Sequence, residues 1–173
     1  MAIKIRQIDQ RDEALVKRVV HLLATEIYEE ESQRGMRHRW ISDHLKGHPW
    51  TQAFAAFEDR KLVGAIVWSV SDISEDQVAL DLYWVAVSED RQKKGIGARL
   101  VRETINRFLE GPIFKGYGLT SVLVIGTEDN KGFWEKTLKP YATRIDEGVW
   151  KAYEGLDQNQ VWFWARPEDI QAT

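Results

Sequence analysis

The clearest chemical signal lies mid-chain, in Gln92-Lys93-Lys94-Gly95-Ile96-Gly97, a Q-x-x-G-x-G pattern at the junction of an apolar stretch and an amphipathic one. Glycine permits close backbone approach and unusual dihedrals. A helix N-terminus adds unpaired N–H groups and a partial positive charge, so such a junction suits a phosphate or pyrophosphate. Arg91, Lys93 and Lys94 bring further positive charge. The most economical reading is a site for a phosphorylated cofactor.

Other phosphate loops fit less well. A P-loop requires a longer turn ending in Gly-Lys-Ser/Thr, whereas Gly97 is followed by Ala98-Arg99. A dinucleotide fingerprint needs a third glycine in G-x-G-x-x-G, and none follows. Two other clusters invite chemistry. His44 and His48 stand four apart, with His38 upstream, but Gly47 interrupts helical spacing and no carboxylate motif accompanies them, which argues against a metal site. Arg34, Arg37, His38 and Arg39 form a basic cluster that reads as a solvated helix face.

These residues need elements to hold them. Ile3, Ile5 and Ile8 suggest a first strand, and Asp9 or Asp12 is placed to cap a helix to about Tyr28, with Leu15, Val19, Leu22, Leu23 and Ile27 at helical spacing. A shorter helix over MRHRWISDHLKG ends at Gly47 and Pro49. Gln52–Glu58 and Leu62–Val70 read as a hairpin around Asp-Arg-Lys, followed by a polar loop, SDISEDQ. The central strand begins at Val78. The helix after the loop puts Ile96, Leu100, Ile105 and Phe108 on one face and stops at Gly111-Pro112. LTSVLVI is a short buried strand, TEDNKGFWEKTL a short helix, and VWKAYE with QVWFWARP a final hairpin. The order β-α-α-β-β-β-α-β-α-β-β predicts a mixed α/β fold.

Length and composition bound the alternatives. A chain of 173 residues suits one domain, 1–173, and a 43% hydrophobic fraction with eight Trp supplies its core. The N-terminal stretch is too charged for a signal peptide and no apolar run approaches a bilayer span, so no membrane association and a cytoplasmic location are the default expectations. A net charge of −3 gives no bulk attraction to nucleic acid. With no cysteine, disulfides, thiolate metal sites and a cysteine acyl-enzyme are excluded. The aromatic VWFWARP segment admits two readings, a core strand or a homodimer edge.

The segment LYWVAVSEDRQKKGIGARLV resembles motif A of the GCN5-related N-acetyltransferases, with strand, Q/R-x-x-G-x-G/A loop and helix all present. The resemblance implies their fold, a central, mostly antiparallel sheet flanked by helices, and acetyl-CoA or another acyl-CoA as co-substrate, with no metal. It implies that main-chain groups of Val85, Ala86 and Val87 pair with pantetheine, and that amides of Gln92, Lys93, Lys94, Gly95, Ile96, Gly97 and Ala98 hold the pyrophosphate. Further along, Trp134-Glu135-Lys136 occupies the family's Tyr-Glu-Lys slot, replacing a phenol with an indole that cannot deliver a proton at neutral pH. Asn130, or alternatively Thr127, takes the place of a cofactor-contacting Asn, and Trp134 would contact the cofactor. Thr137 and Tyr141 are substitute hydroxyls, and Tyr141 is the candidate general acid.

The expected reaction is direct attack by a primary amine within a ternary complex. The amine must first lose a proton, and Asp81, which interrupts an apolar strand upstream of the cofactor contacts, is the candidate base. A solvated or edge-facing position is its competing reading. The acceptor is expected to be a small molecule or peptide. It would be bordered by Glu26–Glu31, where Tyr28 and Glu29 would suit a cationic amine, and by Trp84, which competes with a core reading.

Overall fold

The computed structural model describes residues 2–27, 31–47, 50–74, 77–111, 118–126, 130–138, 146–150 and 160–164. The elements are β1 (Ile3–Gln7), α1 (Glu13–Ile27), α2 (Glu31–Gly47), β2 (Gln52–Glu58), β3 (Lys61–Ser74), β4 (Gln77–Val87), α3 (Ile96–Glu110), β5 (Gly118–Gly126), α4 (Lys131–Leu138), β6 (Asp146–Trp150) and β7 (Gln160–Trp164). Their order is the predicted one, in a mixed α+β fold with a mostly antiparallel sheet. The chain forms two compact units, residues 1–69 with 83–104, and residues 70–82 with 105–173. Among the described residues no helix is long and apolar enough to cross a membrane.

In the first unit the strands run β1-β2-β3-β4. β1 pairs antiparallel with β2 from Ile3↔Glu58 to Gln7↔Phe54, and β2 pairs with β3 from Gln52↔Trp68 to Glu58↔Lys61. The hairpin turn is two residues long rather than three. Asp59 and Arg60 both have positive φ, 46° and 71°. Such dihedrals belong to a type I′ turn, whose twist matches the flanking strands. β3 therefore starts at Lys61 and continues to Ser74, through the first part of the expected polar loop.

Asp12, not Asp9, caps α1: its carboxylate accepts from the Leu15 N–H at 3.0 Å. Asp9 instead accepts from the Arg11 backbone and guanidinium. One face of α1 buries Leu15, Val16, Val19, Val20, Leu23 and Ala24. With Ile41 and Leu45 of α2, these form one core with Ala53, Ala55 and Phe57 of β2 and Trp84 and Ala86 of β4. On another side of β3, Gly64 faces the start of α3. A Cβ there would lie 3.2 Å from Ala86 O, 3.2 Å from Leu100 Cδ1 and 3.4 Å from Ile96 Cγ2.

In the second unit the order is β4-β5-β7-β6. β4 and β5 run parallel from Gln77↔Gly118 to Leu82↔Val124, while β7 is antiparallel to both β5 and β6. Residues Val161–Phe163 of β7 thus pair on both sides within the sheet, so the β7 part of VWFWARP is an internal strand of this sheet. Trp134, Thr137 and Leu138 of α4 are buried.

Candidate active site

The site begins where β4 leaves its parallel neighbour. The register with β5 ends at Leu82↔Val124, so Val85, Ala86 and Val87 face no described β5 residue. Burial alternates through this stretch: Trp84 and Ala86 are buried, and Tyr83, Val85 and Val87 are half-buried. Side chains are thus committed to alternate faces, as a regular strand requires.

The chain then turns through a single 3₁₀ turn, Glu89–Arg91, into the glycine loop. Ser88 N–H donates to Val63 O at 2.9 Å, and the Gln92 side-chain amide donates back to Val87 O at 3.1 Å. These bonds tie both ends of the turn to the strands before it. Lys93 and Gly95 both take left-handed backbone conformations, with φ of 59° and 78°. Glycine adopts this without strain, whereas lysine does so at a cost of about 1–2 kcal/mol. Such alternation turns successive N–H groups into an anion-binding concavity.

Hydrogen bonding shows the result. From Lys93 to Ala98 no backbone N–H donates to an acceptor among the described residues, and the first bond of α3 is Arg99 N–H to Gly95 O at 3.0 Å. Gln92, Lys93, Lys94 and Gly95 are exposed, and Gly97 and Ala98 half-exposed. This run of unengaged donors at the positive end of a 15-residue helix fits a pyrophosphate. Ile96 points elsewhere: its side chain is buried, so only its amide serves the loop.

The three basic side chains differ in role. Arg91 Nε lies 2.5 Å from Glu58 Oε2 and its Nη1 3.1 Å from Asp90 Oδ2. Those carboxylates, Glu58 first, push its pKa still higher. Arg91 therefore fastens the turn to β2 rather than offering charge to a ligand. Lys94 Nζ donates to Asp90 O at 3.3 Å, and Lys93 meets no described partner.

Gly64 had no distinctive sequence signal here, and Glu26 showed only part of its setting. Gly64 looks like any strand glycine, yet its missing side chain lets the first turn of α3 sit against β3 and Ala86 O. Glu26, in the last turn of α1, has its carboxyl pKa raised chiefly by burial. The Glu89 backbone N–H opposes that shift, and the charges of Glu89 and Asp90 add to it. Its position in the acidic run Glu26–Glu31 was visible in the sequence; the approach of Glu89 and Asp90 was not.

Asp81 is buried, at 3% exposure, and its Oδ2 accepts from the Ser71 hydroxyl. It is therefore neither solvated nor on an exposed edge. Trp84 is also buried, with the half-exposed Trp40 set edge-on to it at 5.5 Å. His44 packs edge-on against Tyr83 at 4.6 Å and Trp84 at 5.5 Å, placing its ring in an aromatic cluster. Trp134 is 4% exposed, and its Nε1 has no hydrogen-bond acceptor among the described residues. Asn130 is exposed. Tyr28, Glu29, Thr127, Tyr141 and His48 lie outside the described residues.

Residues 16–138 match the family model described as the acetyltransferase (GNAT) family. The chain belongs to that family. Comparison with curated proteins gives no match. Among solved structures, a GNAT fold recurs in an aminoglycoside acetyltransferase from an uncultured soil metagenomic sample, crystallised with sisomicin. The two are 19% identical, with 90% of this chain and 97% of that one covered at a TM-score of 0.65. The NatC complex bound to Gag peptide and CoA is 14% identical, covering 96% and 99%, with a TM-score of 0.63. Ribosomal-protein-alanine N-acetyltransferase from Brucella melitensis biovar Abortus 2308 is 19% identical, covering 88% and 97%, with a TM-score of 0.59. At these identities the likeness is one of fold.

Proposed function

We propose that this GNAT protein transfers an acetyl group from acetyl-CoA to a primary amine by direct attack in a ternary complex. The observation that carries the reading is the run of unengaged N–H groups from Lys93 to Ala98 at the start of α3. Those amides, with Gln92, would hold the pyrophosphate, and main-chain groups of Val85, Ala86 and Val87 would hold the pantetheine arm. Asn130 and Trp134 are assigned to the cofactor as well. Bound acetyl-CoA supplies an activated acyl thioester.

The residues of the chain then have three tasks. Asp81 accepts the proton that the attacking amine must lose, directly or through water. The Val85 N–H donates toward the oxygen that gains charge. Tyr141 is assigned the returning proton, since the indole of Trp134 has none to give at neutral pH. Tyr28, Glu29 and Trp84 are assigned to the acceptor side, in keeping with a small cationic amine. The proteins of similar fold span aminoglycoside and peptide substrates, which supports an amine acceptor without choosing among amines.

Trp134 also favours a second reading, a non-catalytic acyl-CoA-binding module that kept the loop and lost the acid. A thiol-release assay over polyamines, aminoglycosides, amino acids and peptides, run beside CoA calorimetry, separates the two. Binding with no thiol release across the panel would refute the enzymatic reading. Gly97→Trp should abolish CoA binding with the fold retained, and unchanged binding would refute the loop assignment.

A further inference from the structure

Arg11, Lys61 and Arg91 each lie within 3.4 Å of a carboxylate. Lys4, Arg6, Arg18 and Arg60 do not: none has a carboxylate partner among the described residues. These four line one open cavity of about 470 Å³, together with Ala2, Phe57 and Asp59.

Three elements bring them there. Lys4 and Arg6 are two apart on β1 and so share a face, opposite Phe57 and Ala55 in the register. Arg18 comes from α1, and Arg60 from the left-handed hairpin turn at φ 71°. Arg6 is restrained, its guanidinium carbon 4.6 Å from the Phe57 ring centroid, an arrangement that leaves the edge donors directed away from the ring. Four cations against one carboxylate, Asp59, in a chain of net charge −3, form a local excess of three positive charges.

We infer that this cavity is a second anion site, separate from the amide loop, for a small phosphate-bearing ligand. Arginine forks match phosphate oxygens in bidentate fashion. The volume suits a small molecule rather than a duplex or a flat protein surface. Phe57 is buried, so recognition rests on charge and guanidinium geometry. The inference does not depend on the acetyltransferase reading, because the loop contributes no residue to this cavity.

ADP serves as the probe, titrated calorimetrically into Gly97→Trp, whose pyrophosphate loop is blocked, and into the same protein carrying Arg6→Gln/Arg18→Gln; the double variant with an intact loop is titrated with acetyl-CoA. ADP should bind Gly97→Trp, and bind at least about tenfold more weakly once both arginines are replaced, as expected when charged hydrogen bonds to phosphate are lost. Acetyl-CoA affinity of the double variant should stay at the wild-type level, and rising KCl should weaken ADP binding. Equal ADP affinity with and without the two arginines in the Gly97→Trp protein overturns the inference, as does failure of Gly97→Trp to bind millimolar ADP. A parallel loss of acetyl-CoA affinity in the double variant also overturns it, by giving these arginines to the adenosine end of the cofactor. Both arginines are exposed, and thermal melts confirm that the variants are folded.

Discussion

Gly64→Ala is the sharpest test of how the loop is seated. The added methyl would meet Ala86 O and Leu100 Cδ1 at 3.2 Å and Ile96 Cγ2 at 3.4 Å. One of these is backbone of β4, and the others are anchored in the first turns of α3, so none is the free end of a long side chain. Overpacking of a close-packed site costs about 1–3 kcal/mol, offset by about 0.4–1 kcal/mol because alanine restricts the unfolded chain more than glycine. The net loss is about 1–2 kcal/mol, or a Tm drop of about 2–8 °C for a chain of this size. Scanning calorimetry measures it directly, and CoA titration should show weakened binding as the start of α3 is pushed off β3. Gly35→Ala is the matched control. Its Cβ would meet nothing within 4 Å, and it lies inside α2, so the substitution should stabilise by about 0.5–1 kcal/mol. If Gly64→Ala melts at or above the wild-type temperature, α3 does not rest on β3 as described and the reasoning fails.

Three further outcomes follow from local geometry. Asp12→Ala removes the acceptor for the Leu15 N–H and should cost about 1 kcal/mol, whereas Asp9→Ala should be nearly silent; urea melts compare them. The folded pKa of Glu26 is raised, so the native state binds its proton more tightly and Glu26 contributes stability below the ordinary carboxylate range that is lost as pH rises. Glu26→Gln should therefore match or exceed wild type in Tm at pH 7 and lose that advantage near pH 4, and a pH-independent difference would contradict it. Asp81→Asn should depress turnover more at neutral than at high pH if Asp81 is the base, while an equal loss across pH would mark the Ser71–Asp81 pair as structural.

The glycine loop was legible because its requirements are local. Positive φ at Gly95, a helix start at Ile96 and a strand just before it all leave marks in sequence. The long periodic helix α1 was legible for the same reason, though choosing Asp12 over Asp9 as its cap needed coordinates. Misjudged boundaries trace to tertiary pairing overriding propensity. SDIS is polar, yet its backbone belongs to β3, which runs to Ser74. Gly35 looks like a helix stop, yet α2 begins at Glu31 and runs through it. Asp59-Arg60 carries neither glycine nor asparagine, the usual sign of a two-residue turn with left-handed dihedrals. Arg91 looked like ligand charge until Glu58 was found beside it, a partner 33 residues away in sequence.

The indole at position 134 raises the question of what a missing acid would cost. A general acid here would protonate a thiolate as it leaves. Taking a thiol of ordinary pKa, about 8.5, the thiolate at pH 7 is unfavourable by about 1.5 units, or about 2 kcal/mol. That bounds the benefit of protonation at about thirtyfold, far below what orientation and electrostatic stabilisation contribute to an enzyme. The groups proposed to supply orientation are backbone groups: the N–H run from Lys93 to Ala98 and the β4 segment Val85–Val87. Backbone groups survive side-chain change, so replacing a phenol with Trp134 removes the smaller contribution and leaves the larger intact. If Tyr141 does not take over the role, the sulfur leaves as the thiolate, and Trp134→Tyr should raise turnover while its phenol stays protonated, a gain present at neutral pH and lost above about pH 10. Equal turnover of wild type and Trp134→Tyr at every pH would place the slow step before thiol departure, at the amine that Asp81 is proposed to deprotonate.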